Sequence, residues 1–268
     1  MKRYSCFAFI STVVALASCF PIQAQPKDPP KPFTNSIGMK FVWIPPGSFM
    51  MGSSKEEKER KDDETQHKVT LTKGYYLGAY HVTQEEWQAV MGNNPSFFKG
   101  EKNLPVERIS WDQCQDFCKK LREKDKKPYR LPTEAEYEFA CRAGTTTPFH
   151  FGATISTDRA NYHGDYSYVD GKKGVYRKKS IPVGSFPPNA WGLYDMHGNV
   201  WSRCQDWYGD YPQKAVVDPQ GPATGKDRVM RGGAWGIPPD SIRSASRYKL
   251  VPTWGDDAIG LRVCFSLE

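Results

Sequence analysis

No apolar stretch after residue 16 is long enough to cross a bilayer, so no membrane-spanning helix is expected there. The five histidines, His67, His81, His150, His163 and His197, form no H-x-x-x-H or H-x-x-E pair, which removes the usual spacing of a zinc or non-haem iron centre. There is no G-x-S-x-G nucleophile turn, and Gly232-Gly233 is too short to cradle a phosphate. No cysteine stands between Cys204 and Cys264. An excess of one charge is also missing. Without Lys2 and Arg3, the 37 basic residues become 35 against 30 acidic ones, a dispersed +5, so nucleic-acid binding gains no support.

What is present describes one globular unit behind a targeting segment. Lys2 and Arg3 precede a short apolar run from Cys6 to Leu16, the pattern of an export signal over residues 1–24. Two processing routes fit: cleavage after Ile22-Gln23-Ala24, or lipidation at Cys19 within Leu16-Ala17-Ser18-Cys19. The protein is therefore expected to be periplasmic or secreted, with a lipoprotein anchor at Cys19 as the second form. Residues 25–35 are rich in Pro and Lys and are expected to be an extended linker, leaving 36–268 as the domain.

Glycine and proline are abundant, 23 and 21 residues, and both interrupt regular structure, so the body should be α+β, irregular and loop-rich. Three capping boxes announce helices: Thr83 with Glu86, Ser110 with Gln113, and Thr133 with Glu136. In the second, Trp111, Cys114, Phe117, Cys118 and Leu121 recur at helical spacing and form one apolar stripe. Past residue 144 the helix signals stop. Strands are expected at Val69 to Leu71, Ile181 to Val183, Val229 to Arg231 and Leu261 to Phe265. The mature cysteines, Cys114, Cys118, Cys141, Cys204 and Cys264, are odd in number, so at least one is unpaired within the chain. Cys114, Cys141 and Cys204 read as buried small hydrophobes, and His197 as a structural residue.

Several segments in one order carry a resemblance: residues 41–52 (FVWIPPGSFMMG), 82–87 (VTQEEW), 105–106 with 110–112, 130–140 (RLPTEAEYEFA), 189–201 (NAWGLYDMHGNVW), 231–235 (RGGAW) and 260–262 (GLR). Together they resemble the formylglycine-generating enzymes, or sulfatase-modifying factors, with Tyr137 where that family usually has tryptophan. The resemblance implies a C-type-lectin-like fold. It also implies oxidation of a sulfatase cysteine to formylglycine, using copper held by two cysteines shortly after the GG[SA][WY] segment. Here residues 236–243 read GIPPDSIR and offer no cysteine, methionine or histidine, so soft-ligand copper is not expected.

The resemblance further implies a Cys118–Cys264 disulfide, with the alignment at Cys264 off by one residue, and places the lost partner of Cys141 at Ser244. Calcium is implied at two places: Asn161 with the Tyr162 carbonyl and positions near Tyr176, and Asn199 with the Val200 carbonyl. Both asparagines equally suit turn caps. At the second place the family's glutamate and tryptophan have become Ser202 and Arg203, which weakens it. Two function classes follow. One is a non-catalytic binding or scaffold module whose groove around Trp235, Arg243, Arg247 and Trp254 holds a peptide or glycan, or an exported sulfatase; Trp235 equally suits a core position. The other is a sulfatase-maturing oxidase. If the groove binds, Arg247→Ala should weaken capture without lowering the melting temperature.

Overall fold

Alternation of buried and exposed side chains in residues 67–71 (HKVTL) draws that segment into a strand with one buried face, as a two-residue period requires. The computed structural model describes residues 30–267, so the export signal, Cys6, Cys19 and the start of the linker lie outside the described residues. In chain order, β1 (Phe33–Thr34), β2 (Lys40–Ile44), β3 (Gly47–Met51), β4 (His67–Leu71) and β5 (Tyr75–Gly78) precede three helices, α1 (Gln84–Met91), α2 (Trp111–Asp125) and α3 (Glu134–Arg142). The remainder contributes β6 (Trp201–Trp207), β7 (Val216–Val217), β8 (Arg228–Arg231), β9 (Tyr248–Leu250), β10 (Ile259–Leu261) and β11 (Cys264–Phe265). They assemble three sheets, ordered β1-β2-β5-β11, β10-β6-β8-β9 and β3-β4-β7. None of the helices among the described residues is long and apolar enough to cross a membrane.

All three capping boxes form, with each N-cap hydroxyl accepting from the third helical N–H and that residue's side chain returning the bond. Each such cap contributes on the order of 1 kcal/mol. The apolar stripe of α2 packs Phe117, Cys118 and Leu121 against Phe41 and Phe265 of the first sheet and the adjoining Val263. The opposite face of that sheet, with Ile44, Leu77 and Cys264, packs on Ala135, Tyr137, Ala140 and Cys141 of α3.

That division corrects the expected disulfide. Successive residues of a strand point to opposite faces, so in β11 Phe265 packs in the cluster with α2, as Val263 just before the strand does, while Cys264 packs in the cluster with α3. Cys118 and Cys264 are therefore separated by the sheet, and both are free thiols, as are Cys114, Cys141 and Cys204. Arg130 Nη1 donates to Cys264 Sγ at 3.0 Å instead.

Three further expectations are corrected. Phe33 pairs with Phe41 and stacks edge-on against Phe265 at 5.6 Å, so the linker ends before residue 33. Residues 181–183 form no strand, because the side-chain amide of Asn199 takes the place of a partner: its Oδ1 accepts from Ile181 N at 3.0 Å and its Nδ2 donates to Ile181 O at 3.0 Å. The Leu261 to Phe265 run is broken into β10 and β11.

Candidate functional site

Gly232 and Gly233 follow β8 in left-handed conformations, with φ of 89° and 79°, and a Cβ on Gly233 would meet Ile242 Cγ2 at 2.0 Å. The tight turn delivers Trp235 to the surface half-buried. Its backbone N–H donates to Asn199 O at 3.0 Å and its indole N–H to Asp257 O at 3.1 Å. Trp254 stands three residues earlier on the same loop, 57% exposed, with its carbonyl accepting from Arg203 Nη2. The two tryptophans of the expected groove therefore border one loop.

The two arginines do not join them. Arg243 is fully buried, donating to Glu64 at 2.6 and 2.9 Å and also pairing with Glu57. Arg247 holds both oxygens of Glu134, at 2.7 and 2.8 Å, and lies over the Tyr211 ring. With every carboxylate partner internal, neither guanidinium offers a fork to a ligand. The correction is to a groove framed by tryptophans, without arginines.

In their place a row of rings runs through Trp235. Phe97 meets Phe98 (centroids 5.1 Å apart), Phe98 meets Trp235 edge-on (5.7 Å), and Trp235 lies within 19° of parallel to Tyr176 (6.2 Å). Tyr176 stacks on His163 at 3.7 Å, and His163 meets Tyr166 at 4.7 Å. Phe97 and Tyr166 at the two ends are 56% and 52% exposed, and the rings between are half-buried. Of these, only Trp235 and Tyr176 were singled out from sequence, and Tyr176 for its backbone. The doublet Phe97-Phe98 in a loop after Asn94-Pro95 was the available signal.

Beneath the row lies Glu107, fully buried, whose Oε1 accepts from Phe98 N at 2.9 Å and whose Oε2 has no partner. Burial pushes its carboxyl up to about 7, with Asp257 adding to the rise.

The asparagines expected at calcium do meet, as an amide clasp. Asn161 Nδ2 donates to Asn199 Oδ1 at 3.1 Å and to Lys179 O at 2.9 Å. Gly198, at φ 87°, lets the two backbones touch, since a Cβ there would lie 2.3 Å from Asn161 O. Asn199 Oδ1 already accepts twice, so the half containing Asn199 and Val200 does not fit a hard cation. Asn161 Oδ1, buried and without a partner, leaves an oxygen free beside Tyr162, the donor type calcium takes. Beside Trp235, residues 236–243 offer no thiol, thioether or imidazole. Among the described residues no three His, Cys, Asp or Glu side chains group as a metal site.

Cys141 and His197 come within 3.7 Å and invite comparison with a thiol–imidazole pair. Burial pushes the thiol up to about 11. Burial, then the neighbouring His150, brings His197 down to about 3. His150 N donates to His197 Nε2 and His197 Nδ1 faces Ile242 O, so the ring is neutral and structural. Neither activates the other. Cys141 Sγ lies 3.7 Å from Ser244 Oγ, where the resemblance puts its absent partner.

Residues 27–267 match the model of the sulfatase-modifying factor enzyme 1-like domain. This chain belongs to that family. The formylglycine-generating enzyme of Streptomyces coelicolor is 34% identical over 193 residues, covering 68% of this chain and 59% of the enzyme. The protein named serine/threonine-protein kinase pkn1 of Chlamydia pneumoniae is 29% identical over 266 residues, covering 88% of this chain and 39% of that protein. The chain thus spans less than half of that relative. Among solved structures, Treponema denticola variable protein 1 superposes with a TM-score of 0.77 at 28% identity, covering 91% of this chain and all of that one. The fold of this family member is C-type-lectin-like, and the family includes sulfatase-modifying enzymes.

Proposed function

We propose that this family member is an exported, non-catalytic binding module that presents the Trp235 face to an extended peptide or glycan. One observation carries it. Residues 236–243, where the resemblance calls for two copper-binding thiols, carry none, and Trp235 just before them is the centre of a partly exposed row of rings. All five described cysteines are buried elsewhere, and burial raises each thiol above its ordinary value. A calcium ion at Asn161 Oδ1 would stiffen the loop that carries Tyr162 and Tyr176. The kinase activity named for the Chlamydia relative belongs to a protein more than twice as long and is not assigned to this chain.

The alternative is a formylglycine-generating oxidase acting on an exported sulfatase, favoured by the identity to the Streptomyces enzyme. Incubation with Cu(I), oxygen and a C-x-P-x-R peptide, read by mass spectrometry beside an active control enzyme, separates the two. No formylglycine is expected. Product would replace the binding reading with the oxidase.

A further inference from the structure

The ring row deepens that binding reading, on which this inference rests, by what flanks it. The Arg108 guanidinium lies 4.8 Å from the Phe97 centroid, and Lys178 Nζ lies 5.8 Å from the Tyr176 centroid. Neither Arg108 nor Lys178 is in a salt bridge with a carboxylate among the described residues. Both residues adopt left-handed backbone, with φ of 62° and 58°, a conformation costly for side chains of this size. Lys172 and Lys173, exposed in the loop between Tyr166 and Tyr176, add positive charge. On the acidic side stand Asp165, 3.9 Å from His163 at the far end, and Asp257 beneath Trp235. Cations thus flank the stretch from Phe97 to Tyr176.

The chemistry that such a surface recognises can be narrowed. All the ring-bearing residues lie in loops, so their own backbone offers no regular ladder of hydrogen bonds to a peptide. Tyr176 is stacked between His163 and Trp235, so the exposed end rings, Phe97 and Tyr166, are the ones that offer a face, and they suit flat apolar C–H faces on a ligand. Anionic groups beside those faces would meet Arg108 and Lys178. A pyranose chain bearing carboxylates supplies both. We infer that the row from Phe97 to Tyr166 is the seat of an acidic polysaccharide.

The test is titration of the full chain with polygalacturonate, followed by tryptophan fluorescence, with dextran, polyglutamate and oligo(dT) as competitors. Polygalacturonate is expected to bind, and dextran to bind at least about tenfold more weakly, a difference of roughly 1.4 kcal/mol. Arg108→Glu and Lys178→Glu should each weaken polygalacturonate about tenfold, since reversing one charge at a ring face changes both attraction and repulsion. Tyr166→Ser, at the exposed end, should weaken it without altering thermal melting. Equal affinity for dextran, with both charge reversals silent, would overturn the acidic class and leave the binding face standing. Preference for polyglutamate or oligo(dT) would overturn the polysaccharide in favour of a peptide or a nucleic acid. Binding of none of the four would remove the ring row and the proposed function together.

Discussion

Trp235 donates its indole N–H to the carbonyl of Asp257, 3.1 Å away, and so joins the turn after β8 to the loop that carries Trp254. The bond sets the ring's orientation, because a half-buried indole has one donor and it is spent here. Trp235→Phe keeps a ring and loses the bond. It should weaken ligand capture severalfold while lowering stability by about 1 kcal/mol, the usual worth of one hydrogen bond. Capture equal to the parent, measured alongside urea unfolding, would show that the ring's orientation has no part in binding.

Arg247 is a structural residue, which reverses the expectation that its loss would spare stability. Its guanidinium satisfies both oxygens of Glu134, and it also donates to Asp63 O and Gly209 O. Arg247→Ala leaves a buried carboxylate short of its main partner, a class of change that costs roughly 3–5 kcal/mol. The midpoint of urea unfolding should fall accordingly. An unchanged midpoint would mean that Arg231, 3.6 Å from Glu134, suffices alone.

Local signals were legible in the sequence and distant partnerships were not. The capping boxes at Thr83, Ser110 and Thr133 each act within four residues, and all three form. Arg243 and Arg247 looked available because Glu64 and Glu134 lie more than a hundred residues away in sequence. Ile181 to Val183 has the composition of a strand, but a side-chain amide replaced the neighbouring strand. The ring row draws on four separate segments, and no periodicity connects them.

Calcium should act through Asn161. If its Oδ1 ligates the ion, millimolar calcium will raise the melting temperature of the parent, by RT ln(1 + [L]/Kd), and chelation will reverse the rise. Asn161→Leu loses the bond to Lys179 O and is less stable throughout. The informative quantity is the calcium-dependent increment, expected only in the parent. An equal increment in both proteins would place the ion elsewhere.

The pleat that separates Cys118 from Cys264 points to a repair. Val263 packs with α2 and belongs to the same packed cluster as Cys118. An oxidised bridge from Val263→Cys to Cys118 would close most of the domain and stabilise it by about 2–4 kcal/mol, provided that the two Cα atoms lie within about 7 Å. The parent's melting temperature should be the same with and without reductant. A reductant-sensitive parent would mean that Cys264 reaches another thiol after all.

Glu107 should make stability depend on pH in a direction opposite to that of a salt-bridged acid. Its carboxyl is raised from an ordinary 4.5 to about 7, first by burial. Between those values the folded chain keeps a proton that the unfolded chain has released. The associated stability is fully present below pH 4.5 and is lost as pH rises through 7. Above that, a buried carboxylate with one unpartnered oxygen sits near Asp257. Glu107→Gln keeps an acceptor for Phe98 N and removes the charge. The variant should melt a few °C higher than the parent at pH 8, roughly the shift expected from 1 kcal/mol in a domain of this size, and match it at pH 4.5. A constant difference across that range would mean that Glu107 does not titrate there, and that the ring row is held equally firmly at either pH.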